Sequence, residues 1–238
     1  MSVKGANKSQ ILTKELTFLY RIAQTVYSLE IEDLLKEIVA IATEVTHGDS
    51  CLVYIVDRKH KELVLRASKN PRQKLLRKIK LKLGEGITGW VAQERQPVII
   101  STGAAKDSRF RFFPNLPEDF FKAFLSVPII SKRGVVGVIN IQHKEKHLHT
   151  PMEVNLLVAM GKLLGGAVDN ALLVEETLLL KETLELRKLI EKAKGLLMKN
   201  SGLSEEEAYR KLQKESMKTG KSMRELAEAI VIAANMHF

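Results

Sequence analysis

Two Ser-x-x-Glu boxes, Ser204 with Glu207 and Ser222 with Glu225, constrain the last fifty-odd residues more than any other feature of the chain. In such a box the serine hydroxyl accepts from the backbone amide three residues on. The glutamate reaches back to the serine amide, so each box marks a helix start. Gly202 and Gly220 stand where the preceding helices must end, because glycine tolerates the left-handed conformation that follows a helix. Three short helices follow from this punctuation. The first runs through Ala193 to Met198 and stops near Gly202, the second runs from Glu205 towards Thr219, and the third carries Leu226, Ala227, Ile230 and Val231. Helices this short are marginal alone and must pack on one another. Leu189, Leu196, Leu197, Ala208, Leu212, Leu226 and Ile230 recur at three- or four-residue spacings and are the expected shared core.

The expected surface of this bundle is cationic. From Arg187 to Arg224 there are 11 basic residues against five acidic ones, and three of the acids are Glu205 to Glu207. Those three sit at a helix start, where the helix dipole favours negative charge. What remains favours a polyanionic partner, in line with a formal net charge of +10 for the whole chain. Tyr209, set among the cations, either stacks on a base or packs between helices.

The run from Leu186 through Ile230 resembles an ANTAR domain, the three-helix RNA-binding output module of bacterial transcription antiterminators. The resemblance rests on Lys192-Ala193-Lys194-Gly195, Leu197-Met198, Ser204-Glu205, Ala208-Tyr209, Leu212, Ser216-Met217 and Ser222-Met223. It implies binding of paired stem-loops in the leader of a message, which favours an antiterminator over a competing terminator hairpin. On that resemblance Lys194, Lys221 and Arg224 hold phosphates or base edges and Tyr209 stacks. Ala193 and Ala208 permit close approach, while Ser216, Met217 and Ser222 line the loop contact. Packing is the competing expectation for Met198 and Met217. Three short helices also describe DNA-binding helix-turn-helix proteins, and a protein-interaction module is a further alternative. The Ala-Lys-Gly and Ala-Tyr arrangement favours RNA.

Upstream, the 238-residue chain has room for a core domain of ordinary size. Its single cysteine, Cys51, opens an expected strand as a small buried hydrophobe and points to a reducing compartment. No apolar run reads as long enough to span a bilayer, and Met1 to Gln10 lacks the apolar core of a signal peptide. A cytoplasmic location without membrane association is expected. Ser2 to Ser9 is polar and expected to fray. Ile11 to Leu29 has a helical stripe of Leu12, Leu16, Leu19, Ala23 and Val26. A second helix turns Leu34, Leu35, Ile38, Ile41, Ala42 and Val45 inward and ends near Gly48. Strands are expected at Cys51 to Val56, Leu63 to Ala67 and Pro97 to Ser101. Ala123 to Ser131 and Val135 to Gln142 form a hairpin around Lys132-Arg133-Gly134.

Arg66 to Lys82 holds eight basic residues and no acid. It is either a second polyanion contact or a solvated edge kept from aggregating by lysine. The glycines of Gly84-Glu85-Gly86-Ile87-Thr88-Gly89-Trp90-Val91 mark a tight turn into a short helix; without a Gly-Lys-Ser/Thr ending this is not a phosphate loop. Thr102 to Lys122 is a long, Phe-rich connection that includes Phe112, Phe113 and Phe120. These elements describe an α+β domain, an antiparallel sheet with helices on one face. Residues 12 to 175 resemble a GAF domain, a small-molecule sensing and dimerising module, through Gly84-x-Gly86-Ile87-x-Gly89-Trp90-Val91, Val127-Pro128-Ile129, Gly137-Val138-Ile139-Asn140 and Ala167-Val168-Asp169-Asn170-Ala171-Leu172. Trp90, Phe110, Phe112 and Phe124 are the candidates for its ligand pocket. The resemblance leaves the small-molecule effector unnamed, and no cofactor is expected.

After Thr150-Pro151 a long helix starts. Leu157, Met160, Leu164, Ala167, Ala171, Val174 and Leu178 alternate spacings of three and four, which reads as a coiled-coil seam and hence a homodimer, or as one helix packed on its own domain. The expected organisation is a sensor domain over residues 1–175, a coiled-coil connector over 153–190 and the ANTAR bundle over 184–238. Nothing points to catalysis. His143, His147 and His149 cluster after a strand with Glu145 as the near acid, too little to expect a metal. The sulfoxide-reducing members of the GAF family depend on several cysteines, and this chain has one.

Overall fold

The computed structural model describes residues 16–18, 20–21, 24, 30–69, 75–111 and 121–235. The expected fray at Ser2 to Ser9 and most of the stripe from Leu12 to Val26 lie outside the described residues, as do Phe112, Phe113 and Phe120. Leu16 and its described neighbours are helical, and Arg21 reaches Glu37 at 3.1 Å and Glu44 at 2.5 Å. The chain forms two compact units, one up to Val174 and the other from Glu175.

In the first unit α1 (Ile31–Thr46) leads into β1 (Ser50–Asp57), β2 (Glu62–Ser68) and β3 (Lys80–Lys82). Then come α2 (Gly86–Glu94), β4 (Val98–Ile100), β5 (Ala123–Ser131) and β6 (Gly134–His143), followed by α3 (Pro151–Ser201). The six strands form one antiparallel sheet in the order β3-β2-β1-β6-β5-β4. Alternate residues of a strand face opposite sides, and here both sides are covered. Cys51, Val53, Ile55, Leu125, Val127, Ile139 and Ile141 pack against α1 and α3. Leu52, Tyr54, Leu63, Leu65, Phe124 and Val138 pack against Ile87, Val91 and Ala92 of α2. The expectation of helices on one face is corrected by α2. Its nine residues are too few to show a clear apolar stripe, so pattern alone does not reveal which layer it joins.

The row Leu157, Met160, Leu164, Ala167 and Ala171, read as a coiled-coil seam, faces the sheet of its own unit and is buried there. An amphipathic helix lying on a core and a coiled-coil helix share the same spacing, so the two cannot be told apart by period. Val174 and Leu178, the last two of the row, are exposed. Gly161 and Gly165 allow this close approach: a Cβ on Gly165 would stand 1.9 Å from the Ile130 carbonyl oxygen, and one on Gly161 would stand 2.3 Å from that of Pro128. Asp169 is buried on α3 and receives Arg58 at 2.8 Å and Arg133 at 3.7 Å. By length and composition α3 contains a window able to cross a membrane, contrary to the expectation from sequence; 44% of that window is buried inside the protein.

β3 is an edge strand on which Leu81 is buried between exposed Lys80 and Lys82. Of the basic run around it, Arg66 and Arg77 both reach Glu32 on α1, at 2.9 Å and 2.6 Å, and Lys80 reaches Glu62 at 3.3 Å. Lys69 donates to the Gly48 carbonyl at 2.7 Å. These cations are engaged within their own unit.

In the second unit α3 ends at Ser201, with Gly202 left-handed, and α4 (Glu205–Thr219) and α5 (Met223–Asn235) follow. Ala193, Leu212 and Ala227 are the buried centre, with Leu189, Leu197, Leu226 and Ile230 packed around them. Leu196, placed in the core by its spacing, is half-buried outside that cluster. The two alanines at the centre let the helices come close, a contact that a search for large apolar residues misses.

Candidate nucleic-acid interface and sensor cleft

Both serine boxes close. The Ser204 amide donates to Glu207 at 2.8 Å and the Glu207 amide to Ser204 Oγ at 3.3 Å. The Ser222 amide and hydroxyl each donate to Glu225 at 2.7 Å, and the Glu225 amide returns to Ser222 Oγ at 3.3 Å. The bonds from Ser204 and Ser222 hold the Glu207 and Glu225 carboxyls below their ordinary range. Ser216 donates its hydroxyl to the Lys221 carbonyl at 2.6 Å, bracing the turn at Gly220. Ser216 and Ser222 thus have structural work in the bundle.

Ala193 and Ala208 are fully buried, so they act through packing. Lys194 is also buried. Its ammonium lies 2.7 Å from Glu205 Oε1 and 3.0 Å from both Glu191 oxygens. The bond to Glu205, then that to Glu191, raises the lysine's pKa, and the lysine in turn lowers that of Glu205. Lys194 therefore ties the end of α3 to the start of α4, and its charge is already balanced.

Other positions face outward. Tyr209 is 45% exposed and Met217 75% exposed, so neither is a core residue; Met198 is 38% exposed. On α4 Tyr209, Gln213 and Met217 are spaced by four and share one side of the helix. Next to that row run Arg210, Lys214 and Lys218 at the same spacing. Arg210 pairs with Glu206 at 2.5 Å. Lys214, Lys218, Lys221 and Arg224 are exposed and make no ion pair among the described residues. Lys214 and Lys218 are two of the 11 basic residues from Arg187 to Arg224, and their spacing from Arg210 is the sequence signal that sets them beside this row. An aromatic ring and a thioether flanked by unbalanced cations can stack on bases and neutralise phosphates.

The first unit holds a small cleft of about 30 Å³ between the sheet and α2, room for a water or two. Phe110 and Phe124 line it together with Tyr54, Thr88, Asn140 and Gln142. Trp90 lies elsewhere, half-buried, with the Arg109 guanidinium 4.6 Å from its ring centroid; Asp107 fixes that arginine at 2.7 Å. A polar chain crosses the cleft floor: Ser126 Oγ donates to Asn140 Oδ1 at 2.6 Å, and Asn140 Nδ2 donates to Thr88 Oγ1 at 2.7 Å. Gln142 Oε1 is buried without a partner among the described residues. Glu85, at the mouth, is paired with Arg111. Elsewhere in this unit Glu145 pairs with Lys122 at 2.5 Å, and the carboxylate that meets the histidine cluster is Glu153, 3.0 Å from His147.

Residues 28–169 match the family model of the GAF domain, and residues 179–231 match that of the ANTAR domain. The GAF domain of an Acinetobacter phosphoenolpyruvate-protein phosphotransferase superposes with a TM-score of 0.61 at 28% identity, covering 68% of this chain and 96% of that one. The GAF domain of the corresponding Coxiella burnetii protein gives 0.62 at 29% identity, with the same coverage of both chains. A phosphoenolpyruvate-dependent phosphotransferase system protein of Escherichia coli K12 is 28% identical over 123 residues, which is 52% of this chain and 16% of the relative. The likeness to these phosphotransferase proteins therefore concerns the sensor region, a small part of their length. The chain belongs to the GAF domain family and carries a C-terminal ANTAR domain, the architecture of an RNA-binding antitermination regulator with a sensor domain.

Proposed function

We propose that this protein acts as a homodimer whose two ANTAR bundles bind adjacent stem-loops of a leader RNA and hold it in the antiterminator form. A small molecule bound by the GAF domain controls this activity, and the protein works in the cytoplasm, where transcripts are made, without catalysing a reaction. The observation that carries the reading is the outward row Tyr209, Gln213 and Met217 beside Lys214 and Lys218, with Lys221 and Arg224 also exposed. The other polar candidates in the bundle are occupied: Lys194 by ion pairing, Ser216 by the Lys221 carbonyl and Ser222 by capping. Two bundles on one dimer gain avidity for two loops without any new kind of contact.

The dimer is supported by a second row on α3. Leu163, Gly166, Asn170 and Leu173 are exposed at spacings of three and four on the side away from the sheet. Thr177, Leu180 and Leu184 continue that register in the second unit, again exposed. Four of these seven positions are leucines, and leucines left in solvent at such spacing are what a partner helix covers.

The test is binding of the full-length protein to paired stem-loops, single stem-loops and duplex DNA of equal charge at physiological salt. A preference for the paired loops supports the reading. Equal affinity for all three makes the bundle a generic polyanion binder and removes the antitermination mechanism.

A further inference from the structure

β6 ends in His143, and the connection to α3 returns two more histidines to the same spot. The rings of His143 and His147 stack with centroids 3.8 Å apart and planes 5° from parallel. The His149 ring stands 4.7 Å from that of His147 and 5.2 Å from that of His143. One ring nitrogen from each residue lies within 4.8 Å of the other two. His143 Nε2 and both ring nitrogens of His149 are shut off from solvent and have no hydrogen-bond partner among the described residues. Buried polar atoms are nearly always satisfied, so three such nitrogens at one place require a cause.

We propose that His143, His147 and His149 form a binding site for one divalent transition-metal ion of the zinc, nickel and copper class, with Glu153 as the outer partner of His147. Imidazole nitrogens suit these ions, whereas calcium and magnesium require oxygen donors. Glu153 Oε1 lies 3.0 Å from His147 Nε2, which leaves Nδ1 as the donor. A carboxylate behind a ligating histidine fixes its tautomer and orients its ring. Ligand nitrogens about 2.0–2.1 Å from a common ion are closer together than the present 4.8 Å. With His147 held by Glu153, it is the His143 and His149 rings that turn about their broad terminal torsion, His143 out of its stack on His147, to bring the three nitrogens in. The backbone around the cluster is anchored: the His147 amide donates to the Ser101 carbonyl at 3.0 Å and the Lys144 amide to Asp49 at 2.8 Å.

Three protein nitrogens leave a coordination position for water or a small ligand. Glu153 also accepts from the Thr150 amide at 2.5 Å and the Thr150 hydroxyl at 3.0 Å, in the capping box that starts α3. Metal occupancy therefore acts on the first turn of the helix that continues into the ANTAR domain. The site rests on its own geometry and is independent of the RNA reading.

The experiment uses tag-free, metal-stripped, full-length protein titrated with zinc chloride by calorimetry and with cobalt(II) by visible absorption. One equivalent per chain is expected, with the ligand-field bands of a nitrogen-ligated, low-coordinate cobalt ion. His149→Ala, which leaves the capping box intact, is expected to weaken binding at least about 100-fold, and Glu153→Gln about 10- to 100-fold. His60→Ala, on the β1–β2 turn, is expected to bind as the parent does. No saturable zinc uptake by the parent overturns the proposal, and so does uptake that His149→Ala and His143→Asn leave unchanged while both variants keep the parent circular dichroism spectrum.

Discussion

Lys194 Nζ lies 2.7 Å from Glu205 Oε1, across the turn that joins α3 to α4. A lysine in a basic bundle reads as a phosphate contact, and this one is a buried clasp. The distinction is measurable. Lys194→Gln is expected to lower the melting temperature of the ANTAR unit, because Glu191 and Glu205 lose their counter-charge. It leaves the salt dependence of RNA binding unchanged. Lys214→Gln is expected to do the reverse, reducing the slope of log affinity against log salt by about one with an unchanged melting temperature.

Tyr209→Ala is expected to weaken stem-loop binding by about 1–3 kcal/mol, the range for loss of one base–aromatic stack. The ring is 45% exposed, so the circular dichroism spectrum should not change. Unaltered affinity would assign Tyr209 to the solvated surface.

Gly165 and Gly166 are neighbours in sequence with opposite surroundings. A Cβ on Gly165 would collide with the Ile130 carbonyl, whereas one on Gly166 meets nothing within 4 Å. Gly165→Ala is expected to destabilise the GAF domain by about 3 kcal/mol or more, as overpacking against backbone does. Gly166→Ala is expected to stabilise it by about 0.5–1 kcal/mol through helix propensity. Urea denaturation of the two variants reads both signs.

Burial, then the neighbouring His147 and His143, pushes the His149 imidazole down from its ordinary 6.5 to about 4. Its folded pKa is below its unfolded one. As pH falls through 6.5 the unfolded chain takes up a proton that the folded chain refuses until about pH 4. Metal-free protein should therefore lose stability over that window, and His149→Gln should flatten the loss. Glu153 adds a second fall at lower pH. Burial pushes its carboxyl up, but the bonds from Thr150 and His147 outweigh it and hold it low. Its contribution is present above the unfolded carboxylate range and disappears as pH drops through the depressed value. Melting temperature against pH, with and without each substitution, separates the two.

Leu180→Glu with Leu184→Glu is expected to dissociate the proposed dimer, since both leucines are more than half exposed in the single chain. Sedimentation should show monomers, and affinity for paired loops should fall to that for single loops. A parent protein that sediments as a monomer would remove the dimer from the mechanism.

The helices of the second unit were legible in the chain itself. Ser204, Glu207, Gly202, Gly220, Ser222 and Glu225 are local signals, each acting within one turn, and local chemistry needs no tertiary contact to be read. The strands and the hairpin around Gly134 were legible for the same reason, through alternation and turn residues. Partner choice was not. Leu157, Met160 and Leu164 have the spacing of a seam, and only the packed fold shows that the sheet occupies it and leaves Leu163 and Leu173 outside. Lys194 and Lys214 are the same residue type in the same basic run. What separates them is whether a carboxylate from another helix stands within 3 Å, a contact between residues 11 positions apart. The histidines cluster in sequence, but Glu153, the carboxylate that meets them, belongs to the following helix, while Glu145, the acid nearest in sequence, pairs with Lys122. Sequence by itself determined where elements begin and end, because propensity and capping act over a few residues. The tertiary structure alone decided which faces are covered and which charges are balanced, because burial and ion pairing depend on what the rest of the chain brings alongside.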